Sequence, residues 1–444
     1  MVSKSLWLEY IFTNERMRRM KKLAIVLACA LTTVCLAACG EKDIPANTDT
    51  EPTVTEVNAT EETVEESSEE AEEPVFETEL EKTLYEASKM TDEELYAKAK
   101  EETGKTVVYS TTSLAANALE TFLAKYPDLT VEMSDVGEAD MFTKLSTEIG
   151  SSADGADMAL LQNAYRVNNE LISEDLLVNY FPESLIGDVG EVYQNPTAIL
   201  FVSKLIFINK TDDSVADLKN VWELTEEAYK DKVFFKNPAD EPVGMNFLIM
   251  LTSDEWNAKL SDAYKSYYGT DWNNTAEYKS CAYEFLDKFL ANCNYTYTAD
   301  GGICSGIAEG EPGSVGLFVF SKLRTNEVAR ANLQIAATGN DGAGIEGFAG
   351  FMYPTYAQVC ADTDTPYTCA LFINYLLSEE GGAAWNNENN MGTYLANSSI
   401  DLVPDATGLD KELYYWLNCC VIEDGEYLAE NYADVYEYIA ARIN

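Results

Sequence analysis

An α/β fold in two lobes, each a mostly parallel sheet flanked by helices and joined to the other by a hinge, is the class this sequence predicts. Three observations predict it. Short apolar strands alternate with amphipathic helices from Thr106 onward, the pattern restarts after a long apolar run, and polar segments follow several strands directly. At 444 residues, 46% of them hydrophobic, the chain is long enough to bury two cores.

The first lobe opens on Thr91 to Ser113, TDEELYAKAKEETGKTVVYSTTS. A helical run carrying Leu95, Tyr96 and Ala99 meets a Gly104-Lys105 break, then a β-branched strand from Thr106 to Tyr109. That strand runs straight into Ser110, Thr111, Thr112 and Ser113, where hydroxyls and free backbone N–H groups can meet a small ligand. Leu114 to Tyr126 reads as a helix with Leu119, Phe122, Leu123 and Tyr126 on one face, ended by Pro127. A strand at Leu129 to Met133 follows, then a helix with Met141, Leu145 and Ile149 four residues apart. A third strand, Met158 to Leu161, runs into Gln162-Asn163-Ala164-Tyr165. This β-α-β-α-β order implies a parallel sheet with ligands at the carboxyl ends of its strands.

Ala198 to Ile208, AILFVSKLIFI, reads as the first crossing between lobes. The second lobe then begins with a helical segment at Trp222 and a strand, Lys232 to Phe235. Its strand ends in Lys236-Asn237-Pro238-Ala239-Asp240-Glu241-Pro242-Val243-Gly244, a punctuated loop before a helix. Glu277 to Cys293 is an amphipathic helix, and a strand spans Ser314 to Phe320. The glycine-rich passage Gly339 to Gly350 marks the return crossing, with hinge motion placed near Ser203 and Gly342. Thr365-Pro366 starts a further helix, and Tyr427 to Ile443 closes the chain as another.

Ahead of the lobes stands an address. Met20 to Cys39, MKKLAIVLACALTTVCLAAC, joins two lysines to an apolar run too short for a comfortable membrane span. Its end, Leu36-Ala37-Ala38-Cys39-Gly40, resembles the lipobox of bacterial lipoproteins, which implies lipidation of Cys39, a start at Met20 or Met17, and an extracytoplasmic, membrane-anchored protein. From Glu41 to Glu73 there are thirteen acids and one lysine, a self-repelling stretch without apolar periodicity. The expected organisation is therefore a signal segment over 1–39, an acidic disordered tether over 40–85, a first lobe over 86–203 and 340–444, and a second over 204–339.

With 76 acids against 30 bases the net charge is -46, so phosphate backbones are repelled and nucleic acid is excluded as a partner. The absence of histidine removes Ser-His-Asp and Cys-His catalysis and histidine-ligated zinc. Seven cysteines follow Cys39. Cys281, Cys293 and Cys369 fall on apolar helix faces, which predicts buried thiols, and no C-x-x-C spacing suggests a metal. No metal, cofactor or catalytic group is expected.

Several stretches together resemble the extracellular solute-binding proteins of ABC importers, the ferric-iron-type, family 1 branch with the type II periplasmic-binding-protein fold. EELYAKAKEETGKTVVYSTTS is similar to that family's opening, Lys144 to Asp157 to its helix-to-strand passage, and Trp222 to Val233 with Lys236 to Gly244 to its second-lobe strand and loop. Ile303 to Leu317 and Pro366 to Gly381 are similar to two later motifs. Members that bind iron carry adjacent tyrosines after the strand that Ser314 to Phe320 matches; here Ser321 and Lys322 stand there, so bare ferric iron is not the expected ligand.

The resemblance implies a non-enzymatic, monomeric receptor that closes on a small solute and presents it to a membrane permease and its ATPase. The candidate ligand contacts are Ser110, Thr111, Thr112, Ser113, Asn163, Tyr165, Asn237, Asp240, Gly244, Ser321 and Lys322. Lys322 near a helix N-terminus favours an anion, whereas Asp240, Glu241 and the overall field favour a cation; the expectation is an anionic or zwitterionic solute. The alternatives are a ligand sensor for a membrane kinase or chemoreceptor and, further off, a surface hydrolase using a carboxylate pair.

Overall fold

The computed structural model describes residues 75–443, apart from 152–154, 274–275 and 339–343. The signal segment, Cys39, most of the tether and Gly342 lie outside the described residues. Their order is a βα alternation interrupted by two long strands. In sequence the strands are β1 (Thr106–Ser110), β2 (Val131–Asp135), β3 (Met158–Leu161), β4 (Leu177–Val178), β5 (Ala198–Asn209) and β6 (Val233–Phe234). They continue with β7 (Cys293–Asn294), β8 (Val315–Val319), β9 (Leu333–Ile335), β10 (Gly350–Cys360), β11 (Thr393–Leu395) and β12 (Cys420–Ile422).

The main run of one continuous sheet reads β2-β1-β3-β10-β5-β8-β6-β7. At one end β2, β1 and β3 are parallel; at the other β8, β6 and β7 are parallel. Between them β5 and β10 run antiparallel, from Gly350 opposite Leu205 to Tyr356 opposite Ala198. All twelve residues of β5 and all eleven of β10 are buried, so the two crossings form the buried middle of the sheet. β5 changes partners along its length: Val202 pairs with Thr393 of β11, whereas Lys204 pairs with Val319 of β8. Gly350 permits the strands to approach, since a Cβ there would lie 2.8 Å from Leu205 Cα.

The helices follow from apolar periodicity and caps. Helix Ala115–Lys125 buries Ala118, Leu119 and Phe122, and Phe122 meets Phe372 edge-on from helix Pro366–Leu376. Helix Pro242–Met250 is apolar except for Asn246 and buried from Val243 onward, with Phe247 stacked on Phe351 of β10 at 4.5 Å. Two placements differ from expectation. Helix Glu79–Ala87 lies inside the stretch expected to be tether: Thr78 and Glu81 form a capping box, and Leu84 and Ala87 are buried, which is enough apolar contact to order it. The closing helix, Gly425–Ala440, was expected with the first lobe. It touches both ends of the molecule: Tyr432 stacks on Tyr165 at 3.7 Å, while Tyr427 bonds Thr252 (2.8 Å) and Tyr438 bonds the Tyr283 carbonyl (3.1 Å).

Candidate functional site

The hydroxyls of Ser110, Thr111 and Thr112 find their partners within the loop, on β3 or on Trp385. Ser110 Oγ accepts from Thr112 N (3.1 Å) and donates to the Thr112 carbonyl (3.0 Å), and Thr111 donates through N and Oγ1 to the Leu160 carbonyl. Thr112 Oγ1 accepts from Trp385 Nε1 at 3.2 Å, and Ser113 is exposed. In the second-lobe loop Asn237 Oδ1 accepts from Ala239 N (2.9 Å), a local turn, and Asp240 is exposed. Ser321 is half-buried and Lys322 exposed. Tyr165 is held face to face with Tyr432. Of the predicted residues, Asn163 and Gly244 are the two that enter a shared buried cluster.

That cluster surrounds Lys204, the single charged residue of β5 and 2% exposed. Its ammonium meets Glu241 Oε1 and lies 3.3 Å from Asp300 Oδ1. Lys236 Nζ completes an alternating square, 2.8 Å from Glu241 Oε1 and 3.5 Å from Asp300 Oδ2, and Asp300 also accepts from Val319 N at 3.0 Å. Three elements supply the four corners: β5 gives Lys204, the loop before helix Pro242–Met250 gives Lys236 and Glu241, and the first residue of helix Asp300–Ala308 is Asp300. Gly244 leaves room for the Glu241 carboxylate, because a Cβ there would sit 2.5 Å from Glu241 Oε2.

A second half joins the square to the turn that follows β3. Asn163, wholly buried with φ 75°, caps its own turn by accepting Arg166 N at 3.0 Å. Its Oδ1 also accepts Asn246 Nδ2 at 3.2 Å, and Asn246 Nδ2 donates to Glu423 Oε1 at 2.9 Å. Glu423 Oε2 accepts from Ala164 N at 3.1 Å. Glu138 begins helix Glu138–Glu148; the residue as a whole is half-buried, but its Oε1 is enclosed.

Burial sets the charges. Desolvation pushes Lys204 down to about 8, against the pull of Asp300. It pushes Glu423 up to about 7, against the hydrogen bonds from Asn246 and Ala164 N, and raises Glu138 against the attraction of Lys204 and Lys236. Desolvation also acts upward on Asp300, but Lys204 and Lys236 outweigh it and hold its carboxyl below the usual range. Tyr353 of β10 is pushed well above the ordinary phenol value by burial, then by Asp300, Glu138 and Glu423, and stays a neutral hydroxyl.

Sequence reasoning missed Lys204, Glu138, Asn246, Asp300 and Glu423. One signal was available: a lone lysine within an otherwise apolar strand must find a carboxylate. A cavity of about 420 Å³ lies elsewhere, bounded by Trp385, Asn390, Tyr394, Asp401 and Asp410, and none of the predicted contacts lines it. Among the described residues no group of three or more acidic or cysteine side chains is placed to hold a metal ion, and the cysteines, Cys281, Cys293 and Cys369 included, are free thiols. No described helix is long and apolar enough to cross a membrane.

No protein-family model and no curated protein matches the sequence. Solved structures do match in fold. The chain is similar to a ferric binding protein from Campylobacter jejuni at 14% identity and a TM-score of 0.57, covering 76% of this chain and 99% of that one. It is similar to apo ferric ion-binding protein A of Pasteurella haemolytica at 15% identity and a TM-score of 0.55, covering 77% and 98%. It is also similar to the periplasmic binding protein AfuA of Actinobacillus pleuropneumoniae, bound to fructose-6-phosphate, at 17% identity and a TM-score of 0.52, covering 76% and 97%. The fold is that of the two-lobed periplasmic binding proteins.

Proposed function

We propose that this chain is a solute-binding receptor, which captures a small molecule between its lobes and delivers it to an ABC importer without chemical change. The observation that carries this reading is the buried polar cluster at the meeting of the lobes. Asn163 and Glu138 come to it from the first lobe and Glu241, Asn246 and Asp300 from the second, on either side of the Lys204 crossing. A polar seam of this kind is costly unless an occupant or a mate satisfies it, and one that only the closed form assembles lets a ligand bias closure. The similar structures support the reading by their nature: periplasmic binding proteins, and an ABC transporter protein from Clostridium perfringens at 13% identity and a TM-score of 0.51.

The remaining parts of the reading come from the sequence. Cys39 is the lipid attachment site, the acidic segment that follows is a spacer from the outer face of the cell membrane, and the receptor works as a monomer beside its permease and ATPase. Hinge motion is placed at the two crossings, near Ser203, where β5 passes from β11 to β8, and near Gly342. A thermal-shift screen of the lipid-free chain against sugars, amines, amino acids, phosphates and metal chelates tests the proposal, since a true ligand raises the melting temperature with the logarithm of its concentration over Kd. Silence across the whole screen, with no molecule co-purifying, sinks it. Permease and ATPase genes beside this one favour import over sensing.

A further inference from the structure

Four enclosed polar atoms in the cluster lack a hydrogen bond of full geometry, Glu138 Oε1, Glu241 Oε2, Asn246 Oδ1 and Asn163 Nδ2, although Asn163 lies near enough to Glu138 to pull its carboxyl down against burial. The network fixes their chemical sense. Asn163 Oδ1 takes the Arg166 backbone N–H, so its nitrogen is the free end; Asn246 gives its nitrogen to Glu423 and Asn163, so its oxygen is free. Three acceptors therefore face one donor. Asn163, Glu241 and Asn246 are nearly or wholly buried, at 0%, 3% and 0% exposure.

The cations nearby are already engaged. Lys204 and Lys236 hold Glu241 and Asp300, and Arg166 Nε donates to both oxygens of Glu170. Lys322, the basis for expecting an anion, is exposed. A phosphate or carboxylate entering here meets carboxylate oxygens, whereas an N–H-bearing cation meets what is left open. Water also donates to such acceptors, but it carries no charge to set against enclosed carboxylates.

We infer that the cleft takes a small organic ammonium ion, bound between Glu138 of the first lobe and Glu241 of the second. Asn246 Oδ1 accepts a further N–H, and Asn163 Nδ2 donates to a hydroxyl or carbonyl of the same solute. This rests on the solute-binding reading above and narrows it to a class. The arrangement also explains why closure needs the ligand: Glu138 and Glu241 are like charges on opposite jaws, and a cation between them turns repulsion into a bridge.

The test is calorimetry on the full-length lipid-free chain at pH 7.4 with 1,4-diaminobutane, spermidine, tetramethylammonium, phosphate, citrate and ferric citrate. The expected result is binding of the primary amines, at least about tenfold weaker for tetramethylammonium, which has no N–H to donate. Glu138→Gln lowers amine affinity roughly ten- to hundredfold and Glu138→Asp less. A melting curve on each variant separates misfolding from lost binding. Binding of phosphate, citrate or ferric citrate alone overturns the ammonium inference and leaves the receptor reading standing. Amine binding untouched by Glu138→Gln places the amine elsewhere and overturns it too. No binding by any probe, together with silence in the wider screen, removes both.

Discussion

The loop after β1 and the seam around Lys204 are both polar, both near the inner ends of strands, and opposite in how their hydrogen bonds close. In the loop, Ser110, Thr111 and Thr112 find partners within two residues, on the neighbouring strand or on Trp385. In the seam, Asn163 reaches Asn246, 83 positions away, Asn246 reaches Glu423, 177 positions away, and four atoms stay open. Locally closed polarity is what a helix start requires; polarity that closes only across the fold, and incompletely, marks where a partner from outside would act.

The hardest blow to this contrast is Lys204→Met. It leaves Glu241 and Asp300 buried with Lys236 as their one remaining shared cation, and the expected loss of stability is about 3 kcal/mol in urea unfolding. A loss under about 1 kcal/mol means that water already reaches the seam, which makes it no different from the loop. Next in size is a pH effect. Glu423 is raised from 4.5 to about 7, so the native state holds this proton more tightly than the unfolded chain. Its contribution is fully present below pH 4.5 and is lost as the pH rises through about 7, a fall on the order of 3 kcal/mol. Glu138 titrates in the same sense, and Lys204, lowered to about 8, regains stability for the native state only above that pH. Glu423→Gln flattens the stability profile between pH 5 and 7; an unchanged slope means that this carboxyl is not dry.

Gly244→Ala comes third. Its new Cβ lies 2.5 Å from Glu241 Oε2 and 3.2 Å from Phe235 Cζ, so the carboxylate must turn away from Lys204. The expected cost is about 1–3 kcal/mol in stability, with amine affinity lowered alongside. Full affinity in this variant shows that Glu241 is not a ligand contact.

Much of the fold was readable from short-range pattern. β3 spans Met158–Leu161 as its apolar run predicts, and helix Pro366–Leu376 starts at its N1 proline. The crossing read as Ala198 to Ile208, an apolar run with one charge, is the strand Ala198–Asn209. The site was much less readable, because its members are set by convergence rather than by spacing. Glu138, Lys204, Asn246, Asp300 and Glu423 each stand in ordinary local contexts, such as a helix start or a strand end. Only the antiparallel pairing of β5 with β10, and the docking of helix Pro242–Met250 through Phe247 on Phe351, bring them together. Asn163 was readable because it follows β3 directly. Ser110 to Ser113 were singled out by the same logic; the side chains of Ser110, Thr111 and Thr112 are taken up by nearby partners, and Ser113 is exposed.

The smallest expected effect therefore tests the loop itself. Thr111→Val with Thr112→Val removes two hydroxyls whose partners are the Leu160 carbonyl and the Trp385 indole N–H. Thr111 and Thr112 are half-buried, so water can reach part of what is lost, and the cost is about 1 kcal/mol in stability. Ligand affinity should move less than about twofold, since neither hydroxyl belongs to the seam's network. A tenfold drop in affinity without a matching fall in stability would show that closure swings this loop onto the ligand. The contrast between a closed local network and an open global one would then describe a single conformation of the receptor rather than a division of labour within it.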